Sequence, residues 1–300
     1  MYKQICSGHN TGRKGAENMN LEEIIAEGME MDASDIHFIP GERCARMLMR
    51  KKGELEYYGD LENHHYQILL QKAKAMAQMN ISEKRMPQDG VLKVNGLSIR
   101  VSTLRSLKGE SLVLRLFTRE LIALEELGLS PEISESLICH VRSQMGIHLI
   151  SGETGMGKST TMYALMMKLR DLNQKIISIE DPVEREVDGI IQSQINAVSG
   201  FGYERAIFAA LRQDPDYICI GEIRNKETAS ALIRAALTGH KVISTIHAKR
   251  YDSVRQRMAD FGISREYLDL TLSLVMNQRL RNTGGGKVVD ATLDISEDFR

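Results

Sequence analysis

Residues 152–159 read Gly-Glu-Thr-Gly-Met-Gly-Lys-Ser and fit the spacing G-x-x-x-x-G-K-[ST] without a mismatch, with Thr160 next in the chain. Holding a nucleotide phosphate requires closely approaching backbone N–H groups, a cation and a hydroxyl for a divalent metal. Gly152, Gly155 and Gly157 let the backbone curl around phosphate oxygens without Cβ clashes. Glu153, Thr154 and Met156 complete the loop, Lys158 can reach the β- and γ-phosphates, and Ser159 offers the hydroxyl for Mg²⁺. Ile147, Leu149 and Ile150 predict a short buried strand before the loop, and residues 161–170 predict a helix after it. That helix would point its N-terminus at the anion. A glycine turn before an ordinary helix is the plain alternative, and the order strand, loop, helix speaks against it. The loop implies binding of a nucleoside triphosphate without saying what its energy is for.

Three further segments could take part. Ile179-Glu180-Asp181-Pro182-Val183-Glu184 follows an apolar run and offers carboxylates that could orient or deprotonate an attacking water. Read alone, it is equally a solvated acidic turn. Asp214-Pro215-Asp216-Tyr217-Ile218-Cys219-Ile220-Gly221-Glu222 is an apolar strand ending in a carboxylate, the pattern of a Walker B position that holds Mg²⁺ through water. In the stretch from Thr238 to His247, two histidines flank one strand, and His247 at its carboxyl end could sense a γ-phosphate or bridge to a carboxylate.

The surrounding pattern shows what must position these groups. Strands are expected at Gly146–Ile150, Lys175–Ile179, Tyr217–Ile220 and Lys241–Thr245, alternating with helices. This order predicts an α/β domain with a parallel sheet, helices on both faces and ligands at the carboxyl ends of the strands. Residues 130–300 are assigned to it, with Ser130 capping a first helix and Pro131 in its first turn. Residues 19–118 predict a smaller α+β domain. It has a capping-box helix after Asn20, a strand at Ile36–Ile39, a hairpin around Lys51-Lys52-Gly53 and an amphipathic helix through Tyr66, Leu69, Leu70, Ala73 and Met76. A turn is expected at Pro87-Gln88-Asp89-Gly90, and strands at Val91–Val94, Leu97–Thr103 and Ser111–Phe117. Residues 119–129 read as a linker or hinge, Gly284-Gly285-Gly286 as a flexible turn, and residues 1–18 as a disordered tail, with Met19 an alternative start.

Composition narrows the function class. The chain has 300 residues, 42% of them hydrophobic and 26% charged, in the range of a globular protein with room for two cores. A net charge of -1 gives no global basic field for nucleic acid or anionic lipid. No apolar run of transmembrane length occurs, and the first eighteen residues lack the apolar core of a signal peptide. Cys6, Cys44, Cys139 and Cys219 are scattered with no CxxC pair, so no structural zinc site is expected, and an intracellular nucleotide fits a cytoplasmic protein with reduced thiols.

Taken together, the four boxes resemble those of the secretion and type IV pilus assembly ATPases, the traffic ATPases of type II and type IV secretion. The resemblance extends to Ala33-Ser34-Asp35-Ile36-His37, Pro87-Gln88-Asp89-Gly90, Ile99-Arg100-Val101-Ser102-Thr103-Leu104, Gly109-Glu110 and Val113-Leu114-Arg115-Leu116, covering about residues 19–281. It implies a RecA-like P-loop NTPase domain preceded by a smaller, PAS-like α+β domain. It implies ATP and Mg²⁺ at the loop, Glu184 as the base that polarises water, Glu222 helping to hold the metal, His247 near the γ-phosphate, and His240 supporting the same region. Arg100 and Arg115 would act as arginine fingers from the first domain, a role their residue types alone do not suggest.

The resemblance further implies a cytoplasmic homohexamer, peripheral at the inner face of the membrane and engaging a polytopic platform protein, with no direct contact to nucleic acid. Asn225, Ala248 and Leu104-Arg105 depart from the usual family residues without removing a phosphate-contacting group. The tetracysteine module of large members is not found in these 300 residues, which lie nearest the compact competence pseudopilus ATPases. A retraction motor, a RecA-like DNA translocase or helicase, a P-loop kinase for a small metabolite and a non-hydrolysing scaffold are the alternatives. The translocase calls for a basic, aromatic-bearing channel, and aromatics make up only 5% of the chain with no Trp.

Overall fold

The computed structural model describes residues 19–51, 53–94, 97–116, 121–196, 199–283, 286–296 and 299. The expected tail at 1–18, Cys6, Lys52 of the expected hairpin, Phe117, and Gly284 and Gly285 of the glycine run lie outside the described residues. The chain divides into two compact units, Met1–Glu120 and Leu121–Arg300.

In the first unit, α1 (Leu21–Glu30) begins with a full capping box, the Asn20 side chain accepting from the Glu23 amide and the Glu23 side chain accepting from the Asn20 amide. It leads into β1 (Ala33–Ile39), β2 (Cys44–Lys51), β3 (Glu54–Glu62), α2 (Asn63–Met76), β4 (Gln88–Val94), β5 (Leu97–Ser106) and β6 (Gly109–Leu116). The six strands form one antiparallel sheet in the order β3-β2-β1-β6-β5-β4. Because side chains alternate across a strand, Ile36, Phe38, Met47, Met49, Leu112 and Leu114 share one face and pack with Leu21, Ile24, Tyr66 and Leu70 of the helices. The opposite face carries Arg50, Asp35, Arg115 and Arg100, directly opposite one another on four successive strands.

The expected turn at 87–90 is corrected by this sheet. Gln88, Asp89 and Gly90 already belong to β4, paired with Thr103, Ser102 and Val101. Those partners already lie inside the strand expected at Leu97–Thr103, and the chain reverses earlier, where Asn80 and the Gln88 side chain exchange hydrogen bonds of 2.8 and 3.0 Å.

The second unit contains α3 (Pro131–Ser143), β7 (Gly146–Ser151), α4 (Lys158–Asp171), β8 (Ile176–Glu180), β9 (Ile191–Gln194), α5 (Tyr203–Leu211) and β10 (Tyr217–Ile220). These are followed by α6 (Lys226–Leu237), β11 (Lys241–Ile246), α7 (Tyr251–Asp260), α8 (Arg265–Thr271), β12 (Leu272–Thr283) and β13 (Gly286–Ile295). The sheet runs β13-β12-β7-β11-β10-β8-β9, parallel except for the antiparallel β12–β13 hairpin. Its central strands are buried on both faces. Ile218 and Ile220 pack toward the α5 and α6 residues Ile207 and Leu232, whereas Tyr217 and Cys219 pack toward Val141 of α3 and Leu165 of α4. This double covering is why these strands read as unbroken apolar runs.

Within the expected linker at 119–129, Leu124–Leu127 forms a short 3₁₀ turn whose two leucines are buried in the second unit's core. The spacing of Leu121, Leu124, Leu127 and Leu129 supplies the apolar side that packs there. The C-terminal hairpin β12–β13 and the short β9 are additions to the strands expected from sequence.

Candidate active site

Strands β7, β11, β10 and β8 are consecutive neighbours and parallel, so whatever follows their carboxyl ends is brought side by side. Ser151 is level with Ile246, Ser244 with Ile220, and Ile220 with Ile179. The residues just beyond are the loop at 152–157, His247, Glu222 and Glu180. Chain order separates these segments widely, and only the sheet order joins them.

The loop is shaped by close backbone approach. A Cβ on Gly152 would lie 2.7 Å from the carbonyl oxygen of Gln278 on β12. Gly157, with φ of 77°, precedes the first residue of α4 in a conformation that suits glycine. Gln278 Nε2 donates to the Met156 carbonyl at 2.7 Å, and Asn277 Nδ2 donates to Ser151 Oγ at 2.8 Å. Nothing in the sequence pattern marks Gln278 as a support of the loop. Its support of the loop comes through an unforeseen strand.

Lys158 opens α4 and is buried, with Nζ donating to the carbonyls of Gly152 at 3.0 Å and Glu153 at 2.8 Å. Its Nζ also lies 3.1 Å from His247 Nδ1, and Thr154 Oγ1 lies 3.4 Å from the same nitrogen. An ammonium can only donate, so Nδ1 accepts and Nε2 carries the proton. That Nε2 sits 3.0 Å from Glu222 Oε1, while Glu222 Oε2 accepts from Arg224 Nε at 3.0 Å. The result is a continuous line from Lys158 through His247 and Glu222 to Arg224. Burial and then the neighbouring Lys158 charge hold His247 below the ordinary histidine range, against the pull of Glu222. Burial likewise lowers Lys158, with Glu222 opposing. Glu153 is tied by an ion pair of 2.7 Å to Lys249, on the segment after His247.

The acidic segment after β8 separates into two roles. Glu180 is buried and accepts from Tyr163, from Ser178 Oγ at 2.6 Å and from Gln192 Nε2 at 3.2 Å. Burial raises its pKa in spite of these bonds. Glu184 is half-buried on the following loop, and its amide donates to Tyr163 on α4 at 3.2 Å. Asp181 is exposed. Ser159 and Thr160 are half-buried in the first turn of α4. No sequence signal marked Tyr163, whose spacing reads as helix core.

His240 does not join this group. It precedes β11, whereas His247 follows it, and six residues of strand at ~3.3 Å each place the two at opposite ends of the sheet. His240 Nδ1 instead lies 3.1 Å from Thr238 Oγ1.

Arg100 and Arg115 belong to the first unit, on adjacent strands and directly opposite each other. Arg115 Nε donates to Asp35 Oδ1 at 2.8 Å, and Arg100 lies 3.6 Å from Asp89. Burial of Asp35 would raise its pKa, but the hydrogen bonds from Arg115 and Ser34 outweigh it and hold the carboxyl below its ordinary range.

The donors fit a hard divalent cation only in part. Among the described residues no cluster of three or more His, Cys, Asp or Glu could hold a metal by itself. Mg²⁺ prefers one or two protein oxygens completed by substrate phosphates, which the Ser159 hydroxyl and the lone pairs left on Glu222 can provide.

The family model described as type II/IV secretion system protein matches residues 12–288. Type II secretion system protein E of Klebsiella pneumoniae is 38% identical over 266 residues, covering 87% of this chain and 54% of the relative. Type IV pilus assembly ATPase PilB of Thermus thermophilus is 36% identical over 266 residues, covering 87% of this chain and 30% of the relative. The crystal structure of the pilus retraction motor PilT with bound ADP is similar at a TM-score of 0.74 and 28% identity, covering 93% of this chain and 84% of that one. The chain thus spans about half the length of the type II secretion relatives it matches.

Proposed function

The chain belongs to the type II/IV secretion traffic-ATPase family, and we propose that it binds ATP with Mg²⁺ at Gly152–Thr160 and hydrolyses it to drive assembly of a type IV pilus or pseudopilus, for secretion or for DNA uptake in competence. In this reading the second unit is a RecA-like ATPase domain and the first a PAS-like domain, joined by a hinge within residues 119–129, and six copies act together on a polytopic membrane platform protein from the cytoplasmic side. No described helix is long and apolar enough to cross a membrane.

The observation that carries the proposal is the line Lys158–His247–Glu222, assembled at the carboxyl ends of β7, β11 and β10. Lys158 Nζ would turn from its own loop carbonyls to the β- and γ-phosphate oxygens, keeping its charge beside Glu222. His247, neutral with its proton on Nε2, accepts at Nδ1 from Lys158 and Thr154 and would be coupled to the γ-phosphate through those two donors. Ser159 and Glu222 would hold Mg²⁺, which would supply positive charge against the charge that develops on the phosphates. Glu184 is proposed to orient and deprotonate the attacking water. Arg100 and Arg115 would add positive charge from the first unit, where Asp35 presets the direction of the Arg115 guanidinium.

The similarity to PilT favours retraction as a second reading of the same motor chemistry. Replacing Lys158 with Ala is expected to reduce ATP hydrolysis to background while circular dichroism stays parental, and turnover at the parental rate would refute the proposal. Running the same assay with and without DNA separates it from a DNA translocase, which DNA should stimulate.

A further inference from the structure

We propose that Tyr163 and Glu180 are positioning residues for Glu184, forming a buried hydrogen-bonded post that ties the loop carrying the base to the helix that begins at the phosphate loop. The inference rests on the reading of Glu184 as the base.

Tyr163 lies five residues past Lys158 on α4, about 7.5 Å along the helix axis. It is 2% exposed, as is Glu180. A phenol has one proton and two lone pairs, and all three are engaged. The hydroxyl donates to Glu180 Oε2 and accepts the amides of Glu184 and Arg185, each at 3.2 Å. Glu180 is in turn fixed by Ser178 and Gln192. Gln192 also donates to the Arg185 carbonyl at 2.8 Å and accepts the Val187 amide at 2.6 Å, while Gln194 accepts the Val183 amide at 3.2 Å. Five backbone groups between residues 183 and 187 are thereby held, and the two at the centre are held from α4.

Stability alone gives a weak reason for this construction. A carboxylate taken out of water is costly, and apolar packing of similar volume would close the loop at least as well. What hydrogen bonds add is direction, because they fix where two particular amides sit relative to the first turns of α4. The carboxylate of Glu184 inherits that placement, and a misplacement of about 1 Å at a reacting group can cost about a hundredfold in rate.

The test measures steady-state ATP hydrolysis and thermal melting for the full chain and its variants. Tyr163→Phe should lower kcat by about ten- to a hundredfold with the KM for ATP changed less than about twofold. In a Glu184→Gln background the same substitution should cause no further loss, since the group it positions is already disabled. Glu180→Gln keeps an acceptor for the tyrosine but turns an NH₂ toward Ser178 or Gln192, and should show the same loss in kcat and the same silence beside Glu184→Gln. It serves as the decisive variant where Tyr163→Phe does not fold. An equal fold-loss in both backgrounds, or a parallel rise in KM, would overturn positioning in favour of packing. Slow Glu184→Gln with parental Tyr163→Phe would overturn the post alone. Glu184→Gln at the parental rate would refute the base assignment, and the post with it.

Discussion

Glu180 and Glu222 both stand at the carboxyl edge of the parallel sheet, Glu180 as the last residue of β8 and Glu222 two residues past β10, yet they are built into different surroundings. Glu180 is 2% exposed, surrounded by three donors, with its pKa raised by burial. Glu222 keeps a 21% exposed side chain and meets His247 and Arg224, in line with Lys158. The first carboxylate faces inward to a helix and a loop, the second faces the phosphate loop. Position at a strand end is therefore insufficient to make a carboxylate part of the chemistry. The next layer decides, and here it is α4 over β8 on one side and the open end of β11 on the other.

Removing the inward carboxylate should have the larger effect on the fold. Glu180→Ala leaves the Tyr163 and Ser178 hydroxyls buried without an acceptor and takes from Gln192 one of its two, at about 1–3 kcal/mol for each donor that water cannot reach. Urea unfolding should show a loss of roughly 3–5 kcal/mol, and a loss under about 1 kcal/mol would erase the distinction between the two glutamates. Glu222→Gln should do the reverse. It is expected to cut turnover by about a hundredfold, roughly 2.7 kcal/mol in the barrier, with melting within a few degrees of the parent. A melting loss as large as that of Glu180→Ala would make Glu222 structural.

The smallest effect is one of pH. A carboxyl whose pKa is raised in the folded state binds more protons there than when unfolded. Its contribution is full below the unfolded value near 4.3 and is lost as pH rises through the raised folded value. Glu180→Gln should remove this decline, so that the stability difference between variant and parent shifts in favour of the variant as pH rises through that window. Parallel pH curves for parent and Glu180→Gln would contradict the burial argument.

The sequence disclosed the parallel strands because burial on both faces writes them as unbroken apolar runs, as in Tyr217–Ile220. It concealed β12, whose buried half carries Ser273, Asn277 and Gln278, and β9, whose Ile-Gln-Ser-Gln has no apolar period. The four segments around the phosphate loop could be read singly. Their adjacency could not, because β11 lies between β7 and β10 in space but after both in the chain. The role of His240 came with the family resemblance, whereas its place before β11 puts it at the amino end of that strand, away from the carboxyl ends that gather the site. Nor does a run of three acids at 180–184 reveal which one is turned inward, because that depends on Tyr163 from another element.

The support that β12 gives the phosphate loop has a temporal side. Met156 and Gln278 are separated by 122 residues, and Ser151 and Asn277 by 126. During synthesis at roughly 5–20 residues per second, the loop would wait about 6–25 s for the strand that steadies it. A nascent chain arrested before Gln278 emerges should therefore fail to be retained on immobilised ATP, and one arrested after Ile295 has cleared the ribosome should be retained. Retention at the shorter length would show that the loop sets without its late neighbour. Ribosomes translating this message would otherwise carry, for the 122 residues from Met156 to Gln278, a nucleotide site that exists in sequence and not yet in shape.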